Sequence, residues 1–181
     1  MALISPKLTY DDLQHVPDDG KRYELLDGEL LVSPSATPRH QTAVGRVFAL
    51  LLRAEAAGFG RPFVAPLDVV FDQYNVLEPD VLFISAERLA IIGERNIQAA
   101  PDLVVEVLSR GTRDRDVRLK LPAYARFGVR FYWIVDPEEM RVQPYELEGD
   151  SYRQLVLLQA SDTLTSPLFP GISVAISSLF S

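Results

Sequence analysis

With 181 residues, 25 acidic against 18 basic side chains and a net charge of −7, the chain suits a single domain over residues 1–181 that buries roughly two thirds of its unfolded surface, and it is too acidic to hold nucleic acid mainly by neutralising phosphates. It has no cysteine, which excludes disulfide frameworks, thiol nucleophiles and Cys-based zinc sites and agrees with a reducing compartment, by default the cytoplasm. No apolar run approaches the roughly 18 residues of a membrane span and the N-terminus lacks a secretory pattern, so a soluble protein is expected.

Thr9 caps a short first helix beginning Tyr10-Asp11-Asp12-Leu13, whose acids lie near its positive end. His15, at the end of that helix, reads as a surface or capping residue. In the run from Tyr23 to Val32 the central Asp27-Gly28 is a two-residue hairpin signal. Pairing about that turn sets Leu25 opposite Leu30 and Tyr23 opposite Val32 on an apolar face. Glu24 and Glu29 share the other face, where carboxylates are ordinarily solvated, and are weaker candidates for a site. Residues 33–38 form a Pro/Ser loop too short to link domains. From about His40 to Ala57 the residues Val44, Val47, Phe48, Leu51 and Leu52 mark a core-facing helix ended by Gly58. Arg39 and His40 open it, where phosphate can bind; a histidine there with no partner in sequence is more often structural, so His40 is a weaker candidate.

Phe63 to Phe71 alternates as a strand, with Pro66 marking an edge or bulge. Pro79-Asp80-Val81-Leu82-Phe83-Ile84 predicts another, with Asp80 on the face of Leu82 and Ile84. The chain is organised around Pro101 to Asp136. Leu103–Leu108 and Phe131–Val135 are apolar, Val-containing runs that read as strands covered on both faces. An ionised carboxylate in such a strand costs several kcal/mol unless a cation, a metal or hydrogen bonds offset it. That makes Glu106 the first site candidate. Between the two runs, Arg113 to Phe127 predicts a helix with Thr112 as cap, Val117, Leu121 and Tyr124 as apolar stripe, Pro122 as a kink and Gly128 as stop. Asp116 and Lys120, four apart, read by themselves as a surface ion pair. Asp102 reads as a turn residue before its strand. Met140–Leu147 and Tyr152–Leu158 form a hairpin through Glu148-Gly149-Asp150, and the tail from Ser166 is packing material. The pattern gives an α/β (α+β) fold: a mixed sheet centred on Leu103–Leu108 and Phe131–Val135, flanked by helices, with an N-terminal and a C-terminal hairpin.

Glycine-rich phosphate loops and Gly-x-Ser-x-Gly elbows are missing from the sequence, and two isolated histidines cannot supply a His-based metal site. Carboxylate chemistry remains. Asp80 and Glu106 could bind Mg²⁺, which prefers oxygen ligands and keeps several waters. A metal so held polarises a phosphoryl oxygen and eases deprotonation of its water, while Lys120 could steady the developing charge or position that water.

The order helix, three strands, helix, strand, with Pro79-Asp80 and Glu106 on successive strands, resembles the PD-(D/E)XK nuclease superfamily. More closely, Tyr23–Leu30, Ser33-Pro34-Ser35 with Pro38-Arg39-His40-Gln41, Pro79–Phe83, Pro101–Ser109, Tyr132–Pro137, Ser166–Gly171 and Leu179-Phe180 resemble the Uma-type putative restriction endonuclease family over nearly the whole chain. The resemblance implies a restriction-endonuclease-like α-β-β-β-α-β core and a Mg²⁺- or Mn²⁺-dependent endodeoxyribonuclease. Its metal ligands would be Asp80 and Glu106, its third catalytic residue Lys120, its partner duplex DNA and its products a 5′-phosphate and a 3′-hydroxyl. The superfamily's Lys follows the Glu by two residues, a position held by Leu108, so the basic role passes to Lys120, with Asp116 one turn earlier to tune it. The alternative is a non-cutting nuclease-fold domain that binds DNA or acts as a scaffold, which the acidic charge and the absence of a DNA-reading module favour. Apolar residues of the C-terminal hairpin and tail offer a homodimer surface by which such an enzyme would reach both strands.

Overall fold

The computed structural model describes residues 6–33, 35–109, 111 and 113–181, apart from the side chains of Asp114 and Asp116. Helix α1 (Tyr10–Leu13) is closed by a reciprocal cap in which the Thr9 N–H donates to Asp12 and the Asp12 N–H to Thr9 Oγ1. Strands β1 (Arg22–Leu26) and β2 (Glu29–Ser33) pair in the expected register, Leu25 with Leu30 and Tyr23 with Val32. Their turn puts Asp27 and Gly28 at φ 53° and 79°, the positive pair that matches strand twist.

Helix α2 (Pro38–Ala56) begins earlier than its apolar pattern, because Thr37 accepts from the His40 N–H and Pro38 sits in the first turn, where its missing N–H costs nothing. It buries Val44, Val47 and Leu51, while Leu52 faces solvent. The single strand expected from Phe63 to Phe71 is two strands in different sheets: β3 (Gly60–Val64) and β4 (Val69–Asp72). Pro66 cannot donate to a ladder, and pairing stops just before it, the Ala65 N–H still reaching the Asp80 carbonyl. Next come β5 (Asn75–Leu77), β6 (Val81–Ser85) and β7 (Leu103–Val107).

The predicted helix from Arg113 is built in three pieces. A turn of α3 (Arg113–Arg115) widens into a π segment (Asp116–Lys120), and α4 (Leu121–Arg126) follows with Pro122 at its start, so the proline costs no helical hydrogen bond. Val117 is 39% exposed and does not join Leu121 and Tyr124 in an apolar stripe. Thr112, the expected cap, lies outside the described residues. The chain closes with β8 (Phe131–Asp136), the hairpin β9 (Arg141–Glu148) and β10 (Ser151–Gln154), and the pair β11 (Thr163–Thr165) and β12 (Ser173–Ala175). Strand β10 is shorter than Tyr152–Leu158, Leu158 returning only as a bridge to Val142.

Six strands form a mixed sheet in the order β10-β9-β8-β7-β6-β3, with β7 and β8 parallel at its centre and the other pairs antiparallel. A second sheet, β2-β1-β5-β4, is antiparallel throughout. Alternation along β7 sorts its side chains. Leu103, Val105 and Val107 pack with α2 and with the tail residues Phe169, Ile176 and Leu179. Val104 and Leu108 pack on the opposite face with Tyr124 of α4 and with Leu26, Val69 and Leu77 of the second sheet. Glu106 belongs by parity to this second face.

Candidate active site

The β6–β7 ladder pairs Val81 with Val105. One step further it brings Asp80 and Glu106 alongside each other, on the face that meets the second sheet. The Val107 N–H donates to Asp80 Oδ2 at 2.8 Å, so the backbone of β7 holds that carboxylate. Arg22, at the start of β1, donates to Asp80 Oδ1 at 2.9 Å and to the Glu78 carbonyl. His40, in the first turn of α2, places Nε2 at 3.1 Å from Asp80 Oδ2. Glu106 Oε1 accepts from Lys120 Nζ and from the Tyr124 hydroxyl, each at 3.0 Å. The same ammonium donates to Glu24 Oε1 at 2.8 Å, and that oxygen also accepts from the Glu78 N–H.

These groups are interior ones: Glu24 is 0% exposed, Glu106 and Lys120 2% each. Burial alone would raise the Asp80 pKa, yet His40, the Arg22 charge and the Val107 N–H hold it down to about 2. Burial, reinforced by the Asp68 and Glu24 charges, pushes Glu78 up to about 7. Burial and the Glu106 and Glu24 carboxylates keep the Tyr124 phenol well above its ordinary range, so it stays a donor. Burial would make Arg22 easier to deprotonate, but Asp80, Glu106 and Glu24 more than reverse this. Glu24, Asp80 and Glu106 thus meet Arg22 and Lys120 at hydrogen-bonding distance.

Arg22, His40, Asp80, Glu106, Arg115 and Lys120 line a cavity of about 20 Å³, room for roughly one water. Arg115 stands at its edge, tied to the Val32 carbonyl at 2.9 Å and to Ser33 Oγ at 2.7 Å. A groove of about 440 Å³ adjoins it and shares Arg22, His40 and Asp80.

Of the candidates taken from sequence, Asp80, Glu106, Lys120, Glu24 and His40 meet at this point. Glu29 and His15 do not: both are exposed, and His15 Nδ1 sits 2.7 Å from the Asp11 carbonyl. Asp102 is a structural acceptor for Ser85 and Arg88. The side chain of Asp116, expected to tune Lys120, lies outside the described residues. Two readings are corrected. The hairpin face carrying Glu24 is not solvated, because β1 is an interior strand of its sheet and that face lies on the main core. Lys120 is no surface residue, because its partners are carboxylates 14 and 96 positions away in the chain. Sequence reading passed over Arg22 and the polar role of Tyr124. The signals were there: Arg22 shares a strand face with Glu24 two residues on, and Tyr124 follows Lys120 by one helical turn.

The donor set suits a hard divalent cation. Asp80 accepts three hydrogen bonds of the about four its oxygens can take, and Glu24 Oε2 is buried with no hydrogen-bond partner. Among the described residues no three His, Asp or Glu side chains are grouped to cage a metal. Two carboxylates are the available protein ligands, as few as Mg²⁺ takes when waters or substrate phosphate complete its shell.

A family model described as Uma2, putative restriction endonuclease, matches residues 9–177. A crystal structure of a putative nuclease belonging to DUF820 from Anabaena variabilis superposes with a TM-score of 0.79 over 96% of this chain and 97% of that one, at 18% identity, and so shares the fold. Comparison with curated proteins finds no match.

Proposed function

The chain belongs to the Uma2 family of putative restriction endonucleases, and on that footing we propose that it is a metal-dependent endonuclease that hydrolyses phosphodiester bonds in DNA. One observation carries the proposal: Asp80, Glu106 and Lys120, from two strands and a later helix, line a single cavity, with Lys120 Nζ 3.0 Å from Glu106. On this reading Lys120 takes the part of the lysine that the superfamily carries two residues after its Glu.

Asp80 and Glu106 would hold Mg²⁺ or Mn²⁺. Such a cation, when bound, polarises a phosphoryl oxygen and lowers the pKa of a coordinated water. Asp80 is kept ionised by Arg22 and His40 and so is ready as a ligand at any ordinary pH. Lys120, fixed by Glu24 and Glu106, brings a positive charge to the cavity, where it steadies the phosphorane and orients the attacking water. The water oxygen forms the new bond to phosphorus, the bond to the 3′ oxygen breaks, and that oxygen leaves with a proton. The products are a 5′-phosphate and a 3′-hydroxyl.

Calorimetric titration of Mg²⁺ and Mn²⁺ into the wild type and Glu106→Gln, with a plasmid-nicking assay on the same samples, tests this reading. Metal binding and nicking should both disappear in the variant while the thermal transition persists; full nicking by Glu106→Gln would sink the assignment. A second reading, a non-cutting DNA-binding or scaffold domain, draws support from Arg22 and Lys120, which already neutralise carboxylates at distances of 2.8–3.0 Å. DNA affinity indifferent to divalent metal, with no cleavage by the wild type, would establish that reading instead.

A further inference from the structure

Asp80 and Glu106 are only 3% and 2% exposed, and the cavity between them holds little more than one water. A duplex presents its phosphates on a wide, stiff cylinder, which reaches only what lies at the floor of a trench as broad as itself. The adjoining groove is no such trench. Its volume of about 440 Å³ is in the range that encloses one small molecule, and therefore one nucleotide.

The two walls of the groove differ. Val44 of α2 and Val64, Ala65 and Pro66, where the edge strand β3 ends, make one side apolar, and Val64 is 39% exposed there. A base packs well against such a surface once it leaves its own stack. One turn before Val44 on α2, Gln41 offers an amide donor and acceptor to a base edge. Arg22 and His40 lie at the end shared with the cavity, where the backbone phosphate of that nucleotide would lie. Asp18 and Glu78 share the lining with Lys21, so the groove carries no basic stripe for a long phosphate tract.

We infer that the substrate is unpaired DNA: the groove beside Asp80 receives one nucleotide of a single strand and delivers its phosphate to the Asp80–Glu106 cavity. The inference rests on the nuclease reading and narrows it. The acidic whole-chain balance agrees, since a single strand has a lower charge density than a duplex and asks for fewer neutralising cations.

The test uses a fluorescein-labelled mixed-sequence oligodeoxynucleotide, either single-stranded or annealed to its complement, with the full chain and its Gln41→Trp variant. Gln41 is an exposed residue of α2 with no part in the carboxylate cluster, so the indole fills the groove and leaves that cluster alone. In Mn²⁺, the single strand should be cut at least about tenfold faster than the duplex, and Gln41→Trp should lose about tenfold on the single strand with an unchanged thermal transition. Anisotropy without metal should show the same order of affinities and the same loss. Duplex cut or bound as well as the single strand, or Gln41→Trp equal to wild type, overturns the inference. If nothing is cut, the nuclease reading falls, and anisotropy still decides what the groove takes.

Discussion

At the scale of single residues, Asp80 carries the clearest electrostatic consequence. Its carboxyl has an ordinary pKa of 3.8 when unfolded and about 2 when folded. A depressed folded pKa stabilises fully above the unfolded value, and the contribution is lost as pH falls through the folded one. At about 1.4 kcal/mol per unit it amounts to roughly 2–3 kcal/mol. Urea unfolding of the wild type should therefore weaken by that increment between about pH 5 and pH 1, and Asp80→Asn should lack this part of the acid dependence. Equal slopes for both proteins would mean that Arg22 and His40 do not hold the carboxylate as drawn. Glu106 was legible in the sequence because a charge in an apolar strand is conspicuous wherever the strand goes, whereas Asp80, which opens its strand, stood out through the resemblance of its Pro-Asp pair. Glu24 was only half legible: hairpin pairing gave its face, but nothing local says what covers that face. The identity of Lys120's partners is a fact about tertiary structure, and spacing along a helix pointed instead to Asp116.

At the scale of elements, the wide turn Asp116–Lys120 sets the direction of Lys120. A π turn holds one residue more than an α turn, and this one ends at Lys120, two residues before Pro122. Removing Arg118, an exposed residue of that turn, would close it to an ordinary α turn, which covers nearly the same rotation with one residue fewer, so the flanking residues keep their register and only the side chains of the turn itself are redirected. The expected outcome is a folded protein, judged by its near-ultraviolet circular dichroism, in which Lys120, the last residue of the turn, is drawn off Glu24 and Glu106 and plasmid nicking falls by at least about tenfold. Nicking at the wild-type rate would show that the turn has no part in the geometry. Pro122 announced an irregularity in the sequence; the form it takes could not be read there, because a kink, a later start and a wide turn all satisfy a proline. The change of sheet at Ala65–Pro66 was hidden for a similar reason. Alternation continues on both sides of Pro66, and only the partners differ.

At the scale of the whole molecule, the surplus of acids predicts how binding responds to salt. Lys21, Arg22, Arg115 and Lys120 line the groove and cavity, and Lys120 is held by Glu24 and Glu106, so no more than about three phosphates are neutralised, and log affinity for a single strand should fall with log salt at a slope of roughly −2. A slope several times steeper, read from anisotropy across a sodium chloride series, would require a basic surface elsewhere. The mixed sheet, its two central strands and the flanking helices followed from apolar patterning. The second sheet did not, because β4 and β5 are short and the sheet depends on β1 pairing with β5, Leu25 opposite Val76, across the chain.

That long-range pairing also sets a schedule. Strand β1 lies inside its sheet only after β5 exists, and Glu24 meets its cation only after residue 120 has been made. Contacts so distant along the chain form slowly and late. A growing polypeptide thus carries the carboxylates and the lysine of the cluster in separated parts, and the cluster is complete only when the two sheets have closed on each other.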